Sequence, residues 1–285
     1  MKIILTTSMS GLGGTETATF RLGRLLRQHG HDIILASSDG PLLKEAQALG
    51  IRWQPVDFYR GGLFGYLKGM IAYARMLRRE QPDIIHCQMA RIVPACAVAA
   101  KIVSPKTKVF YHARGLNPET YPKIARLFDR LGVYIIGNCK HERDKLIRYG
   151  FPAHRITYTY NALHRPDSIP EKTAKGCDIA VNAIHSHAMQ SVTNKLSDYM
   201  ALQKPVLNSQ TNAEVLDLLN LLPHENYRSG DVDGFVQAAK DILKRKNDPV
   251  QSEEIVRRFK RDVAYQKIVN LIERLAHESI FQTPV

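Results

Sequence analysis

The chain has 285 residues, 44% of them hydrophobic and 24% charged, which suits a globular protein able to bury one or two cores. Its four cysteines (Cys87, Cys96, Cys139, Cys177) match no metal or redox spacing, and no stretch approaches the ~18 apolar residues of a membrane span. The net charge of +13 sits entirely in the first part, since residues 1–165 hold 25 Lys+Arg against 11 Asp+Glu and residues 166–285 hold 15 against 16.

The opening run Lys2–Thr7 has strand length and is too short for the core of a signal peptide, so a cytoplasmic protein is expected. A Gly-rich turn follows, then a helix from about Glu16 to His29, a strand over Asp32–Ser37 and a helix over Pro41–Leu49. Ile51–Val56 reads as the third strand, and a long basic amphipathic helix runs from about Leu63 to Glu80. Asp83–Cys87, Lys108–His112 and Val133–Asn138 are further strands with helices between and after them. This βαβα alternation implies a parallel sheet wound by helices on both faces. The polar, Pro-containing stretch 164–177 reads as a linker, giving an N-terminal Rossmann-like lobe over 1–163 and a shorter α/β lobe over 178–285. In that second lobe Asp178–Ala183 and Pro205–Asn208 are expected strands. Helices are expected over Asn194–Leu202, Asn212–Leu219 and Val232–Lys246, with one last amphipathic helix over Ser252–His277.

The basic first part favours an anionic partner. An anionic membrane surface or a phosphorylated acceptor fits at least as well as nucleic acid, for which no reading motif accompanies the charge. A solvated basic face needs no partner at all. The same alternatives hold for the helix over Leu63–Glu80, which sets Lys68, Arg75, Arg78 and Arg79 beside Leu63, Leu67, Met70, Ile71, Tyr73 and Leu77. Such a helix either lies in a membrane interface or simply covers the sheet.

The first chemical signal is Gly11-Leu12-Gly13-Gly14-Thr15-Glu16, directly after strand one and opening a helix. Glycines there let backbone N–H groups approach a phosphate, and the helix start adds a favourable dipole. The motif lacks the Gly-Lys-Ser/Thr ending of a Walker loop. Glu16 also stands where a dinucleotide fingerprint needs its third glycine, so no dinucleotide cofactor is expected.

Gly13-Gly14-Thr15-Glu16, Arg21–Leu26 and His29–Ile33 together resemble the opening of the family 4 (group 1) glycosyltransferases of GT-B fold, of the bacterial lipopolysaccharide and polysaccharide type. Pro82–His86, the strand ending in Tyr111-His112, Gly137-Asn138 and Leu146–Gly150 continue the resemblance. Asn161 stands where the family has Pro-Asn-Gly, and Leu196–Val206 resembles Leu-Leu-Glu-Ala-Met-Ala-x-Gly-Lys-Pro-Val. The resemblance implies transfer of a sugar from a nucleotide donor with retention and without a metal or other cofactor. The acceptor would be a phosphorylated glycan or a lipid-linked molecule of the cell envelope.

Carried over by position, the resemblance places Gly13, Gly14 and Thr15 beside the donor diphosphate, with Lys195 and Asp198 on the donor side. Glu16, Arg114 and Lys140 fall on the acceptor side, and His112 lines the cleft near the reacting sugar. The family's paired glutamates fall on Gln190 and Asp198; Gln190 cannot carry the negative charge expected of the first. Only positions 162–177 separate Asn161 from Asp178, so the segment whose basic pair grips the diphosphate has no counterpart here. Lys172, Lys175 and Lys195 are the available substitutes. Two expectations follow: a transferase at the inner membrane face, or a catalytically impaired homologue that binds without transferring. Exposed sheet edges in a short lobe also favour a homo-oligomer, and the resemblance implies a final helix that packs back on the N-terminal lobe.

Overall fold

Strand β1 (Lys2–Met9) is an interior strand of a parallel sheet, and its residues Ile3, Ile4 and Leu5, which alternate between the two faces, are all buried, as such sheets require. The computed structural model describes residues 1–9, 11, 14–113, 120–160, 177–184, 192–259 and 261–277, which fall into two units. The first unit holds Met1–Asn138, Glu142–Tyr158 and the chain from Ile268 on; the second holds Cys139–His141 and Thr159–Lys267. Among the described residues no helix is long and apolar enough to cross a membrane.

In the first unit β1 is joined by β2 (Asp32–Ser38), β3 (Arg52–Pro55), β4 (Ile84–Cys87), β5 (Lys108–Ala113), β6 (Tyr134–Gly137) and β7 (Ile156–Tyr158). Their order is β3-β2-β1-β4-β5-β6-β7, with every neighbouring pair parallel. The connecting helices are α1 (Gly14–Gln28), α2 (Leu43–Ala48), α3 (Gly62–Glu80), α4 (Val93–Val103), α5 (Tyr121–Leu131) and α6 (Lys140–Arg148). One sheet face (Ile4, Ile34, Ile85, Tyr111) shares a core with Tyr73 and Leu77 of α3, Cys96 and Ala97 of α4 and Phe128 of α5. The alanines of α4 keep that helix slim where it lies against the sheet.

On the other face α1 comes close through Gly23. A Cβ there would stand 3.0 Å from Leu5 Cδ1 and 3.3 Å from Ile51 Cδ1. Inside the core Thr6 Oγ1 and Tyr73 Oη share a hydrogen bond of 2.7 Å, and burial pushes the Tyr73 hydroxyl and the Cys87 thiol up from their ordinary pKa values. Cys87, Cys96 and Cys139 are buried thiols and Cys177 is exposed, the use expected of reduced cysteines.

The second unit has a parallel sheet of β8 (Ala180–Asn182), β9 (Val206–Asn208) and β10 (His224–Asn226) in the order β10-β9-β8. Helices α7 (Asn194–Ala201), α8 (Ala213–Leu219), α9 (Val232–Lys244) and α10 (Ser252–Phe259) follow the expected pattern. Thr193, Asn212 and Asp231 cap α7, α8 and α9 by accepting from first-turn N–H groups. The core joins Leu196, Met200, Val206, Val215, Leu218 and Phe259.

The described residues of the expected helix over Ser252–His277 are helical as α10 and α11 (Arg261–His277), with position 260 outside the described residues. Strands β7 and β10 were not expected, and the polar His-Glu-Asn of β10 carries no apolar pattern to announce it. The linker proposed over 164–177 lies outside the described residues except for Cys177.

Candidate functional site

A parallel sheet offers a ligand its carboxyl edge, at the point where the winding reverses. In the first unit that reversal falls between β1 and β4. Leu5, His86 and Phe110 are register partners on the face that α1 covers. Two residues further along, Thr7, Gln88 and His112 return to the same face at the strand ends, all about 2% exposed. The sequence so places a polar row where an apolar one would have continued the core.

His112 stacks on His86, with ring centroids 5.5 Å apart and planes 28° apart, and His86 meets Phe110 edge-on at 6.5 Å. Gln88 Nε2 lies 3.5 Å from His86 Nδ1. The Gln88 main-chain N–H donates to Thr6 O at 2.9 Å, fixing the chain as it leaves β4. Among the described residues Thr7 Oγ1 and Asn138 Oδ1 are buried without a hydrogen-bond partner. Both stand at carboxyl ends, of β1 and β6. An unmet buried acceptor costs about 1–3 kcal/mol, so two on one edge suit a site that a ligand or water completes.

Helix α1 begins at Gly14 just beyond β1, and its first turn carries Thr15 and Glu16. Glu16 Oε1 accepts from Ser8 Oγ at 3.4 Å, which draws this carboxylate toward β1. Gly14, the first described residue of α1, is exposed. A helix start with its positive dipole end suits an anion.

The second unit also ends its strands on polar side chains. Asn182, Asn208 and Asn226 close β8, β9 and β10 in register. Asn182 Nδ2 donates to Asn208 Oδ1 at 2.8 Å and to Gln210 Oε1 at 2.9 Å. Asn208 Nδ2 donates to Asn226 Oδ1 at 2.7 Å and to Gln210 O at 2.8 Å. Ser209 Oγ donates to Ile184 O at 2.8 Å and accepts from Ile184 N at 2.9 Å. These bonds pin the chain where it leaves β8 and β9.

On α7 Lys195 is exposed and Asp198 is half-buried. The neighbouring Tyr199 hydroxyl is pushed up by burial first and by the Asp198 charge second. Lys140 is exposed, and its main-chain N–H donates to Glu214 Oε1 at 2.9 Å while that of His141 donates to Glu214 Oε2 at 2.6 Å. Tyr160 Oη donates to the same carboxylate at 2.9 Å.

The structure therefore gathers Gly14, Thr15, Glu16 and His112 at one edge of the first unit, and sets Lys140, Lys195 and Asp198 in the second. Gly13, Arg114 and Gln190 lie outside the described residues, as do Lys172 and Lys175. Sequence reasoning missed Thr7, Gln88 and the asparagine ladder. A repeated strand-final asparagine (Val-Asn, Leu-Asn, Glu-Asn) was the signal available. Among the described residues no three His, Cys, Asp or Glu side chains converge as a metal site would need. An open hollow of about 410 Å³ beside β3, lined by Gln47, Arg52, Trp53 and Glu80, contains none of the sequence-predicted residues.

Residues 12–164 match the model described as Glycosyltransferase Family 4. No curated protein matches the chain. Among solved structures, HepE from Anabaena in complex with UDP-glucose is similar over 96% of this chain and 100% of its own, with TM-score 0.72 and 12% identity. The lipopolysaccharide outer core galactosyltransferase WaaB in its apo form gives TM-score 0.56 and 15% identity over 96% of this chain and 99% of its own. The UDP-GlcNAc 2-epimerase from Neisseria meningitidis bound to UDP-GlcNAc gives 0.58 and 13% over 96% and 100%. At these identities the likeness is one of fold.

Proposed function

The chain belongs to Glycosyltransferase Family 4, with the α/β fold of GT-B type, and from that premise we propose that it moves a sugar from a nucleotide-sugar donor to a cell-envelope acceptor with retention at the anomeric carbon. The acceptor in this reading is a phosphorylated glycan or a lipid-linked molecule of lipopolysaccharide type, reached from the cytoplasmic side of the membrane. The observation that carries the reading is the carboxyl edge of the first unit, where buried His112, the unmet Thr7 Oγ1 and Asn138 Oδ1 and the first turn of α1 stand along one sheet.

Each residue then has a task its chemistry suits. The Gly13-Gly14-Thr15 turn supplies N–H groups and a positive dipole end to negative charge growing on the leaving diphosphate. His112 offers a ring nitrogen toward the reacting sugar. Asp198 accepts hydrogen bonds from ribose hydroxyls, and Lys195 balances donor phosphate charge. Glu16, Arg114 and Lys140 serve the acceptor. These charges do the work a metal would otherwise do, so the reading needs no cofactor. Support for a nucleotide-sugar also comes from the fold neighbour that holds UDP-glucose.

A second reading is favoured by Gln190 and by the short stretch 162–177: a shortened homologue that binds donor or acceptor without transferring. In both readings the three-residue edge strands β8 and β10 give a homo-oligomer a reason to form, since pairing would cover their open N–H and C=O groups. The test is turnover. Incubation with a panel of nucleotide-sugars and a membrane lipid extract should release free nucleotide and add one sugar mass to an extracted lipid or glycan, and His112→Ala should lower the rate on the order of a hundredfold. Nucleotide-sugar binding with no mass added and no nucleotide released would decide for the second reading.

A further inference from the structure

Helix α3 presents a face that the fold leaves uncovered. Leu63 and Phe64 are 77% and 80% exposed, and Leu67 and Ile71 follow on the same side at 43% and 51%. The spacing 63, 67, 71 is that of one helical stripe, and Phe64 stands beside it. This exposure is not a matter of choice for the helix. Its inner side is taken up by the chain before it: a Cβ at Gly65 would fall 1.7 Å from Arg60 O, and one at Gly69 would fall 2.3 Å from Asp57 O. Tyr66 Oη further ties that inner side, donating to Arg91 O at 3.0 Å and accepting from Ala95 N at 3.2 Å. Toward its other end α3 sinks Tyr73, Met76 and Leu77 into the core. The apolar stripe cannot be turned inward without undoing these contacts.

The exposed charges along the helix are cations, and the one acid in the chain just before it, Asp57, pairs with Arg60 at 3.6 Å. Arg60, with a side chain 91% exposed, precedes the helix, and the exposed Lys68, Arg75, Arg78 and Arg79 lie along it. From Gly62 to Arg79 there is no Asp or Glu. The one acid of the helix, Glu80, is buried and ion-paired with Lys2, Arg52 and Arg79. At 19 residues the helix is about 28 Å long, enough to lay the stripe flat along a surface.

We propose that the exposed face of α3 docks on an anionic lipid surface, with Leu63, Phe64, Leu67 and Ile71 entering the boundary of headgroups and acyl chains and the flanking cations facing the lipid phosphates. Apolar side chains flanked only by cations match that surface on both counts. A nucleic acid would answer the cations but offers nothing to the aliphatic Leu63, Leu67 and Ile71. The inference deepens the acceptor reading and rests on it only for the purpose of the contact, since its test needs neither donor nor acceptor; failure here leaves transfer untouched.

The experiment is co-sedimentation of the full chain with vesicles of phosphatidylcholine alone and of phosphatidylcholine mixed with phosphatidylglycerol, at low and high salt. Sedimentation is expected with the mixed vesicles and falls as salt rises. Leu63→Ser with Phe64→Ser, and separately Lys68→Glu with Arg75→Glu, should each weaken binding on the order of tenfold or more. All four side chains are exposed, so an unchanged thermal melt shows that the loss is not unfolding. As a second readout, Phe64→Trp in a Trp53→Phe background should shift its fluorescence to the blue with the mixed vesicles. Equal sedimentation with both vesicle types, undiminished binding by the apolar pair variant, or binding to generic DNA without binding to vesicles would each overturn the proposal.

Discussion

Glu142 and Lys145 are charged side chains almost wholly withdrawn from water, 3% and 6% exposed, and they pair at 2.6 Å. Tyr121 Oη donates to Glu142 Oε1 at 2.7 Å, and the Lys145 ammonium lies 5.2 Å from the centroid of the Tyr121 ring. Removing one partner of such a pair leaves an uncompensated buried charge. Glu142→Ala should therefore cost the first unit about 3–5 kcal/mol in urea denaturation, and a loss under ~1 kcal/mol would contradict this account of the pair. Glu80 makes a prediction in pH. Burial works to raise its carboxyl pKa, but hydrogen bonds from Arg79, Arg52 and Lys2 hold it below the usual range. Its folded pKa is thus depressed, so its contribution is present above the unfolded value of about 4.3 and is lost as pH falls through the folded value. Melting curves of Glu80→Gln and the parent should differ at neutral pH and converge in acid. The Glu80 cluster was not legible in the sequence, because ion pairs between distant elements leave no local pattern; Glu142 and Lys145 stand three apart on α6, and only their burial was unannounced. The place of His112 at the end of a strand was legible, since a strand end is local. The polar edge that Thr7, Gln88 and Asn138 share was not, since it depends on the order in which β1, β4 and β6 enter the sheet.

At the scale of elements the second unit turns on its asparagine ladder. Asn208 both accepts from Asn182 Nδ2 and donates to Asn226 Oδ1, so it cannot be replaced by a group that does only one. Asn208→Asp keeps the shape but turns a donor into an acceptor facing Asn226 Oδ1 and Gln210 O. It should destabilise the second unit by about 1–3 kcal/mol, as should Asn208→Ala, and equal stability of parent and Asp variant would remove the ladder from the account. Asn212 caps α8 through Glu214 N at 3.0 Å and Val215 N at 3.3 Å, and Asn212→Ala should cost about 1 kcal/mol in the same assay. The apolar strands β1, β2, β5 and β6 were readable because burial on both faces writes a continuous apolar run. Strand β10 was not, because His224 and Glu225 are half-buried and Asn226 exposed, so it has no such run. The expected helix over Ser252–His277 was readable from its amphipathic periodicity, and its described residues are helical in α10 and α11.

At the scale of the molecule, the two units are not two consecutive halves. Cys139–His141 belong with the second, Glu142–Tyr158 with the first, and the chain from Ile268 returns to the first. There His31 Nε2 meets Glu273 Oε1 at 2.8 Å, and Ile268, Val269 and Ile272 are buried. A sequence reads as a line and divides most readily at a polar stretch, so the exchange at Cys139–His141 is written in contacts alone. What the line does carry is the order and spacing of weak motifs, which reached the family although no single motif could. The central claim, that this chain is built around a nucleotide-sugar, meets its most direct test in calorimetric titration with UDP, UDP-glucose and other nucleotides and nucleotide-sugars, without added metal. The account predicts selective binding of one nucleotide class, weakened on the order of tenfold or more by Asp198→Ala through lost hydrogen bonds to a charged group. Gly14→Asp should weaken it similarly, placing a negative side chain at the helix start that receives the diphosphate. No heat of binding with any member of the panel would contradict it.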